Sequence, residues 1–281
     1  MLRNGGAETD QGVIFAGAKT SFRNSSSIAF LPRQRCLCRS NDLNASQQTV
    51  RKGGGALDID ALPTSRNPRR SRLAGLHNQD AGSGGNSDKS SVILKVGMVG
   101  DSQIGKTSLM VRYVEGSFNE DYIQTLGVNF MEKTISIRNT EITFSIWDLG
   151  GQREFVNMLP LVCNDAVAIL FMFDLTRKST LNSIKEWYRQ ARGFNKTAIP
   201  FLVGTKYDHY ATLPREEQDE ITKQARRFSK AMKAPLIFCS TSHAINVQKI
   251  FKVLLAKAFD LKCTIPEIKG PGEPLLIYLD V

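Results

Sequence analysis

Apolar residues follow two alternating patterns along residues 92–260 of the chain, one typical of strands and one typical of helices. Strand-like runs cover residues 92–100, 130–138, 141–147, 166–174, 200–204 and 235–239. Helix-like runs cover residues 106–115, 155–161, 181–194, 215–232 and 247–259. Because most connections are long enough for a crossover helix, this alternation predicts an open α/β sheet with helices on both faces. The helical spacing of Trp187 and Phe194 predicts that both side chains belong to the core.

One connection is too short for a crossover helix. Residues 138–141 join two alternating strands as a hairpin, which predicts a six-stranded, mostly parallel sheet with one antiparallel edge strand. In such sheets ligands bind beyond the carboxyl ends of the strands. Four short motifs, which begin at Gly100, Asp148, Gly204 and Cys239, all fall at such ends. The pattern therefore predicts that they form a common site.

The first of these motifs carries the strongest chemical signal. Residues 100–107 match Gly-x-x-x-x-Gly-Lys-[Ser/Thr] at every fixed position, between a predicted strand and a predicted helix. Unpaired backbone N–H groups and the helix dipole attract phosphate at such a point. Lys106 can then reach the β- and γ-phosphates, and the Thr107 hydroxyl can ligate Mg²⁺. We therefore predict a P-loop NTPase rather than a plain glycine-rich turn, with phosphate contacts from Asp101, Ser102, Gln103, Ile104, Gly105, Lys106, Thr107 and Ser108.

Two further segments are predicted to contact the γ-phosphate and its metal ion. Asp148 ends a strand and can hold a water of the Mg²⁺ shell, while Gly151 can offer its backbone N–H to the γ-phosphate. Gln152 is then the candidate catalytic residue that orients the attacking water. In the loop before residue 130, Thr125 is the candidate second hydroxyl ligand, and Phe118 is expected to pack against the base. Loops held by one phosphate act as order–disorder switches.

The last two motifs predict which base is bound. An ionised Asp208 can accept hydrogen bonds from N1 and the exocyclic amino group of guanine, whereas adenine offers no such pair. Lys206 can pack its alkyl stem along the ring, and a backbone N–H near Thr241 can bind the guanine O6. Each motif alone is also compatible with an ordinary surface loop. Together they predict GTP and GDP as ligands, with base contacts from Thr205, Lys206, Asp208, Ser240, Thr241 and Ser242.

These motifs resemble those of the Ras-like small GTPases over residues 92–262. In residues 125–130, 147–155, 204–208 and 239–243 the chain resembles the septum-promoting GTPases, which regulate septation and mitotic exit in fungi and plants. The resemblance implies a molecular switch with slow GTP hydrolysis, in which Gln152 and Lys106 are the catalytic residues. It also implies a sterile-twenty-type protein kinase as effector, a GTPase-activating protein and an exchange factor.

Three positions depart from the commonest small-GTPase pattern. Thr205 stands where asparagine is usual, which puts the side-chain contact to the guanine N7 in question. Ser242 replaces the usual lysine, a minor loss because the expected contact there is from the backbone. The pair Gly150 and Gly151 is similar to the Arf and heterotrimeric G-protein pattern, and we expect it to make that loop more mobile.

The composition divides the 281-residue chain into a basic arm and a folded part. Residues 1–91 hold 13 Lys and Arg against 7 Asp and Glu, which is +6 of the net charge of +10. They contain too few apolar residues to offset the entropy of ordering, so we predict a disordered basic N-terminal arm. A solvated arm is favoured over one that attracts nucleic acid, acidic lipid or an acidic protein. Glu8 and Asp10 count against organelle import.

The remaining features bear on location. Five scattered cysteines imply no disulfide framework, and the longest apolar run, residues 166–173, is too short to span a membrane. Residues 263–281 form a C-terminal extension without a prenylation motif, so no lipid anchor is expected. We expect a cytoplasmic protein, with the cytoskeleton, microtubule-organising structures or the nucleus as finer locations. Two other functions stay open: a GTP-holding scaffold with negligible hydrolysis, and a GTPase that its basic arm directs to membrane or nucleic acid.

Overall fold

The computed structural model describes residues 90–121, 123–137 and 139–279. Its strands are β1 Ser90–Val99, β2 Val128–Ile137, β3 Thr140–Leu149, β4 Ala168–Asp174, β5 Ile199–Thr205, β6 Leu236–Phe238 and β7 Leu276–Ile277. Its helices are α1 Lys106–Val114, α2 Leu159–Cys163, α3 Lys178–Phe194, α4 Tyr207–Tyr210, α5 Arg215–Met232 and α6 Val247–Phe259, with a 3₁₀ helix at Arg153–Met158. The predicted N-terminal arm lies outside the described residues, except that Ser90 and Ser91 begin β1.

The strands form one sheet in the order β2-β3-β1-β4-β5-β6-β7. Neighbouring strands from β3 to β6 run parallel, whereas β2 pairs antiparallel with β3. The predicted α/β class and the antiparallel edge are therefore confirmed. The sheet has seven strands rather than the predicted six, because β7 pairs antiparallel with β6 at the other edge. A strand of two residues is too short to show any periodicity in the sequence.

The core lies in two layers, one on each face of the sheet. Helices α1 and α6 cover one face, and α2, α3 and α5 cover the other. Every residue of β4 is buried, which explains why this segment reads as a continuous apolar run. Trp187 is buried as predicted, but the prediction for Phe194 is wrong because that side chain is 49% exposed. Phe194 is the last residue of α3, where helical spacing no longer ensures contact with the sheet.

The parallel strands place five loops at one edge of the sheet. The segments that follow β1, β3, β4, β5 and β6 all leave from carboxyl ends, so they share this edge. Four of the five contain the motifs identified above. Helix α3 also contacts this edge, because the indole Nε1 of Trp187 donates a hydrogen bond of 2.8 Å to Asp101 Oδ1.

Candidate functional site

The loops at the carboxyl ends of the strands surround a cleft of about 690 Å³. Most residues predicted to bind a nucleotide line it, namely Ser102, Gln103, Ile104, Gly105, Lys106, Thr107, Ser108, Phe118, Thr125, Gly151, Gln152, Thr205, Lys206, Asp208, Thr241 and Ser242. Asp101, Asp148 and Ser240 are not among the lining residues, and the last two are fully buried. The structure therefore brings most of the predicted residues together at the edge of the sheet where the sequence analysis expected the site.

The phosphate loop joins β1 to α1. Gly105 precedes the helix with φ = 85°, a left-handed conformation that favours glycine, and no side chain caps the first turn of α1. The first N–H groups of a helix have no partners within the helix, and here the first residues of α1 line the cleft. This arrangement is suited to an anion.

Lys106 is a buried cation within this loop. Its Nζ donates to the carbonyl oxygens of Gly100 and Asp101, at 3.0 and 2.7 Å. Burial lowers the pKa of Lys106 to about 8, although the nearby carboxylates of Asp148 and Asp101 oppose the shift. An anion in the cleft would favour the charged form, because it would supply the compensating charge that a buried ammonium needs.

Three oxygen-bearing side chains meet beside Lys106. Thr107 Oγ1 donates to Asp148 Oδ2 at 2.5 Å and lies 2.7 Å from Thr125 Oγ1. Asp148 Oδ1 is buried and has no hydrogen-bond partner among the described residues. Burial raises the pKa of Asp148, while the charge of Lys106 and the hydroxyls of Thr107 and Thr125 oppose that rise. Two hydroxyls and a carboxylate with an unsatisfied oxygen form the kind of hard-oxygen donor set that Mg²⁺ prefers.

The segment after β3 lies directly against the phosphate loop. A Cβ placed on Gly151 would lie 2.2 Å from the amide nitrogen of Ser102 and 2.5 Å from Asp101 O, so only glycine allows this approach. The neighbouring Gly150 donates its N–H to Gly127 O at 2.8 Å, which joins the segment to the loop that carries Thr125. The Gln152 side chain follows, and its Oε1 is buried without a partner among the described residues.

The loop after β5 presents a carboxylate to the cleft. Burial alone would raise the pKa of Asp208, but the Ser240 hydroxyl, the backbone N–H of Asp208, the nearby His209 and the Ser242 hydroxyl together outweigh it and hold the pKa below its ordinary value. His209 Nε2 and His243 Nδ1 lie 3.4 and 4.0 Å from Asp208 Oδ2. Asp208 is therefore ionised at neutral pH and can accept hydrogen bonds from a ligand.

Thr205 stands where small GTPases usually have asparagine, and its hydroxyl contacts the protein interior instead of being free to contact a ligand in the cleft. Its Oγ1 lies 2.6 Å from Ile104 O and 3.0 Å from Phe173 O, and the residue is 1% exposed. The hydroxyl thus links the ends of β4 and β5 to the phosphate loop. Its partners are backbone carbonyls, which leaves no donor for a base nitrogen.

Sequence reasoning missed one polar network in the site. Asp174, the buried last residue of β4, accepts from Lys206 Nζ at 2.8 Å and from Arg177 Nε at 3.0 Å. Arg177 Nη2 donates in turn to Ser102 O at 3.0 Å. Burial would raise the pKa of Asp174, but the bonds from Lys206 and Thr176 lower it overall. The network connects the loop after β5 to the phosphate loop. In the sequence, the only signal for it was an acidic residue at the end of an apolar strand, β4.

Within residues 90–121, 123–137 and 139–279, no helix has the length and hydropathy that a membrane crossing requires. No group of three or more His, Cys, Asp and Glu side chains suited to a metal ion was found in the same residues. The oxygen cluster described above is of a different kind, since it combines one carboxylate with two hydroxyls.

Together, the glycine-rich phosphate loop, the oxygen cluster and the Asp208 carboxylate define a P-loop nucleotide-binding protein of the small GTPase class. A family model for the Ras family matches residues 95–260, more than half of the chain. The chain belongs to the Ras family, whose members are small GTPases that hydrolyse GTP, bind GTP and GDP, and generally use Mg²⁺.

Comparison with curated proteins confirms the resemblance seen in the motifs. The chain is 81% identical over 192 residues to Septum-promoting GTP-binding protein 1 of Schizosaccharomyces pombe, an alignment that covers 68% of this chain and 97% of that protein. It is 31% identical over 202 residues to Ras-related protein SEC4 of Saccharomyces cerevisiae, covering 72% and 90%. It is also 31% identical over 183 residues to Ras-related protein RABA4b of Arabidopsis thaliana, covering 64% and 78%.

Proposed function

We propose that this small GTPase is a switch in septation signalling, which recruits a protein kinase in its GTP-bound state. The observation that carries the proposal is the contact of 2.7 Å between the hydroxyls of Thr125 and Thr107, since it couples a surface loop to the phosphate loop. The septation role is supported by 81% identity to a protein named for septum promotion.

The phosphate end of the cleft supplies positioning and charge for hydrolysis, which is most of what phosphoryl transfer requires. Lys106 binds the phosphates, and the backbone N–H of Gly151 faces the γ-phosphate. The Gln152 amide, whose oxygen is buried without a partner, holds the attacking water. Thr107, Thr125 and, through a water, Asp148 would hold Mg²⁺, which when bound neutralises charge on the phosphate oxygens.

The base end of the cleft selects guanine. Asp208 accepts from N1 and the exocyclic amino group, and the backbone near Thr241 donates to O6. Adenine presents no such pair of donors, so Asp208 would lose these hydrogen bonds to the ligand, and such a mismatch is strongly disfavoured. Phe118 lines the same cleft and is 36% exposed, which leaves its ring face available to pack on the base.

Hydrolysis changes the surface of the protein through Thr125 and Gly151. Both lose a partner when the γ-phosphate leaves, so their loops are released. Ile123 and Leu126 flank Thr125 and are 77% and 75% exposed. These apolar side chains move with the switch loop, and we propose that the effector, a sterile-twenty-type protein kinase, recognises them in the GTP state.

We propose that hydrolysis is slow without a partner. No arginine of the described residues lines the cleft, and Arg153 next to Gln152 is exposed. A GTPase-activating protein would then supply the missing positive charge, so unstimulated turnover should be slower by roughly 10³–10⁵-fold than in the stimulated complex. An exchange factor, which replaces GDP by GTP, would complete the GTPase cycle. We place the protein in the cytoplasm, with cytoskeletal or microtubule-organising structures or the nucleus as finer locations.

Two experiments test this function. Protein loaded with a GTP analogue should capture the kinase from solution, whereas GDP-loaded protein should not; equal capture would contradict the switch. In single-turnover hydrolysis, Gln152→Leu should be slowed strongly. Gln190→Leu is the matched control, because Gln190 lies on α3 and does not line the cleft. Equal rates for Gln152→Leu and wild type would favour the GTP-holding scaffold instead.

A further inference from the structure

The C-terminal segment, defined here as residues 263–279, is part of the folded domain rather than a tail. The Ras-family match ends at residue 260, yet this segment returns to the sheet as β7. Leu276 packs in one core layer, whereas Leu275 and Ile277 pack in the other. The segment therefore has a fixed position against the last strands of the sheet, next to the base end of the cleft.

A first contact joins the C-terminal segment to the loop that carries Asp208. The hydroxyl of Tyr207 donates to Gly272 O at 2.7 Å. Tyr207 stands between Lys206 and Asp208, and its own N–H donates to Cys239 O at 3.0 Å. Burial raises the pKa of Tyr207, so its hydroxyl remains a donor well above neutral pH.

A second set of contacts joins the segment to the loop after β6. The Phe238 N–H donates to Leu275 O at 2.8 Å. Asn246 Nδ2 donates to both Phe238 O at 2.8 Å and Pro274 O at 3.0 Å. Phe238 and Asn246 stand just before and just after the loop of residues 239–245, which contains the proposed O6 contact.

We propose that the C-terminal segment positions both guanine-binding loops, and thereby slows nucleotide release and sharpens the selection of guanine. Tyr207 is the positioning residue on one loop and Asn246 on the other. Recognition of guanine requires Asp208 and Thr241 to lie at a particular distance from each other. Because the C-terminal segment contacts both of their loops, it lowers the entropy cost of ordering the loops when the nucleotide binds. The inference rests on the proposed base contacts of these two residues.

The test replaces Tyr207 with phenylalanine in the full chain, which removes one hydroxyl and keeps the ring. Release of a fluorescent GDP analogue should become roughly two- to tenfold faster, the range expected for loss of one hydrogen bond. The ratio of GDP to IDP affinity should fall, since IDP lacks the exocyclic amino group that Asp208 recognises. Single-turnover hydrolysis of bound GTP should not change, because the phosphate end is untouched.

The matched control is Tyr188→Phe, which removes a tyrosine hydroxyl on α3 that accepts only from Arg192 among the hydrogen bonds of the described residues. It should release the analogue at the wild-type rate. Asn246→Gly is a second variant, since glycine tolerates the φ of 57° at that position. It should also accelerate release, through the other loop.

The outcomes separate the two proposals. Failure of the wild-type chain to bind the GDP analogue would overturn the proposed function itself. Wild-type binding with unchanged release and unchanged GDP-to-IDP ratio in Tyr207→Phe and Asn246→Gly would overturn only the positioning role. Equal loss of GDP and IDP affinity, with slower hydrolysis, would also overturn it by showing a general loss of structure.

Discussion

A substitution of Gly151 by alanine tests how closely the segment after β3 must approach the phosphate loop. The added Cβ would lie 2.2 Å from the Ser102 nitrogen and 2.5 Å from Asp101 O, and these are backbone atoms that no side-chain rotation can move. Ordinary contact begins near 3.4 Å, so the two segments must separate by about 1.2 Å.

That displacement would act on hydrolysis more than on binding. It carries the Gly151 N–H and the Gln152 amide away from the γ-phosphate, and a misplacement of about 1 Å costs roughly 10²-fold in rate. Loss of one donor to a developing charge costs about 10²–10³-fold. We therefore expect single-turnover GTP hydrolysis to fall by about 10²-fold. GDP has no γ-phosphate, so GDP affinity should remain close to that of wild type.

The control is Gly193→Ala on α3, where a new Cβ would meet no atom within 4 Å. It should hydrolyse GTP at the wild-type rate and gain about 0.4–1 kcal/mol of stability. Hydrolysis by Gly151→Ala at the wild-type rate would refute the reasoning. A parallel loss of GDP affinity would show that the phosphate loop, rather than the segment after β3, had moved.

Three further predictions concern the polar groups of the cleft. The pKa of Lys106 in the free protein is about 8, and the phosphates of GDP favour its charged form. Above pH 8, GDP affinity should therefore fall by up to about tenfold per pH unit, as measured by calorimetric titrations at a series of pH values. Asp174→Asn should lower the free energy of unfolding, measured in urea, by about 1–2 kcal/mol, because it removes the charge that Lys206 and Arg177 contact. The loss is modest because both cations are partly exposed. The pKa of Asp174 is depressed in the folded state, so this difference should be full at neutral pH and shrink as pH falls below about 4. Thr125→Val should weaken Mg²⁺ binding more in the GTP complex than in the GDP complex; equal effects would contradict its assignment to the γ-phosphate state.

The site was predictable where local sequence dictates local geometry. A glycine-rich turn between a strand and a helix defines the phosphate loop by spacing alone, so Lys106 and Thr107 could be assigned without a structure. Asp148 and Asp208 could be proposed because Asp148 lies at the carboxyl end of one strand and Asp208 just after that of another, at the same edge of the sheet. Thr125 lies between α1 and β2 and was proposed only as a loop hydroxyl able to ligate Mg²⁺, so its contact with Thr107 is a finding of the structure.

Other features depend on contacts distant in sequence. The network of Asp174, Arg177 and Lys206 joins the connections after β4 and β5 to the phosphate loop through Ser102. An acidic residue at a strand end indicates a polar contact, but it does not indicate which distant side chains make that contact. Strand β7 has two residues and is defined by its pairing with β6 and by the bridge between Leu276 and Ile268. Thr205 was recognised as a departure, but its bond to the Ile104 carbonyl could be seen only in three dimensions.

The most direct test of the central claim is the nucleotide preference of the full chain. Calorimetric titration should show tight binding of GTP and GDP that depends on Mg²⁺, strongest for GTP, and no measurable binding of ATP. Equal affinity for ATP, or binding of GTP that is indifferent to Mg²⁺, would contradict the assignment of Asp208 to guanine and of Thr107, Thr125 and Asp148 to the metal ion.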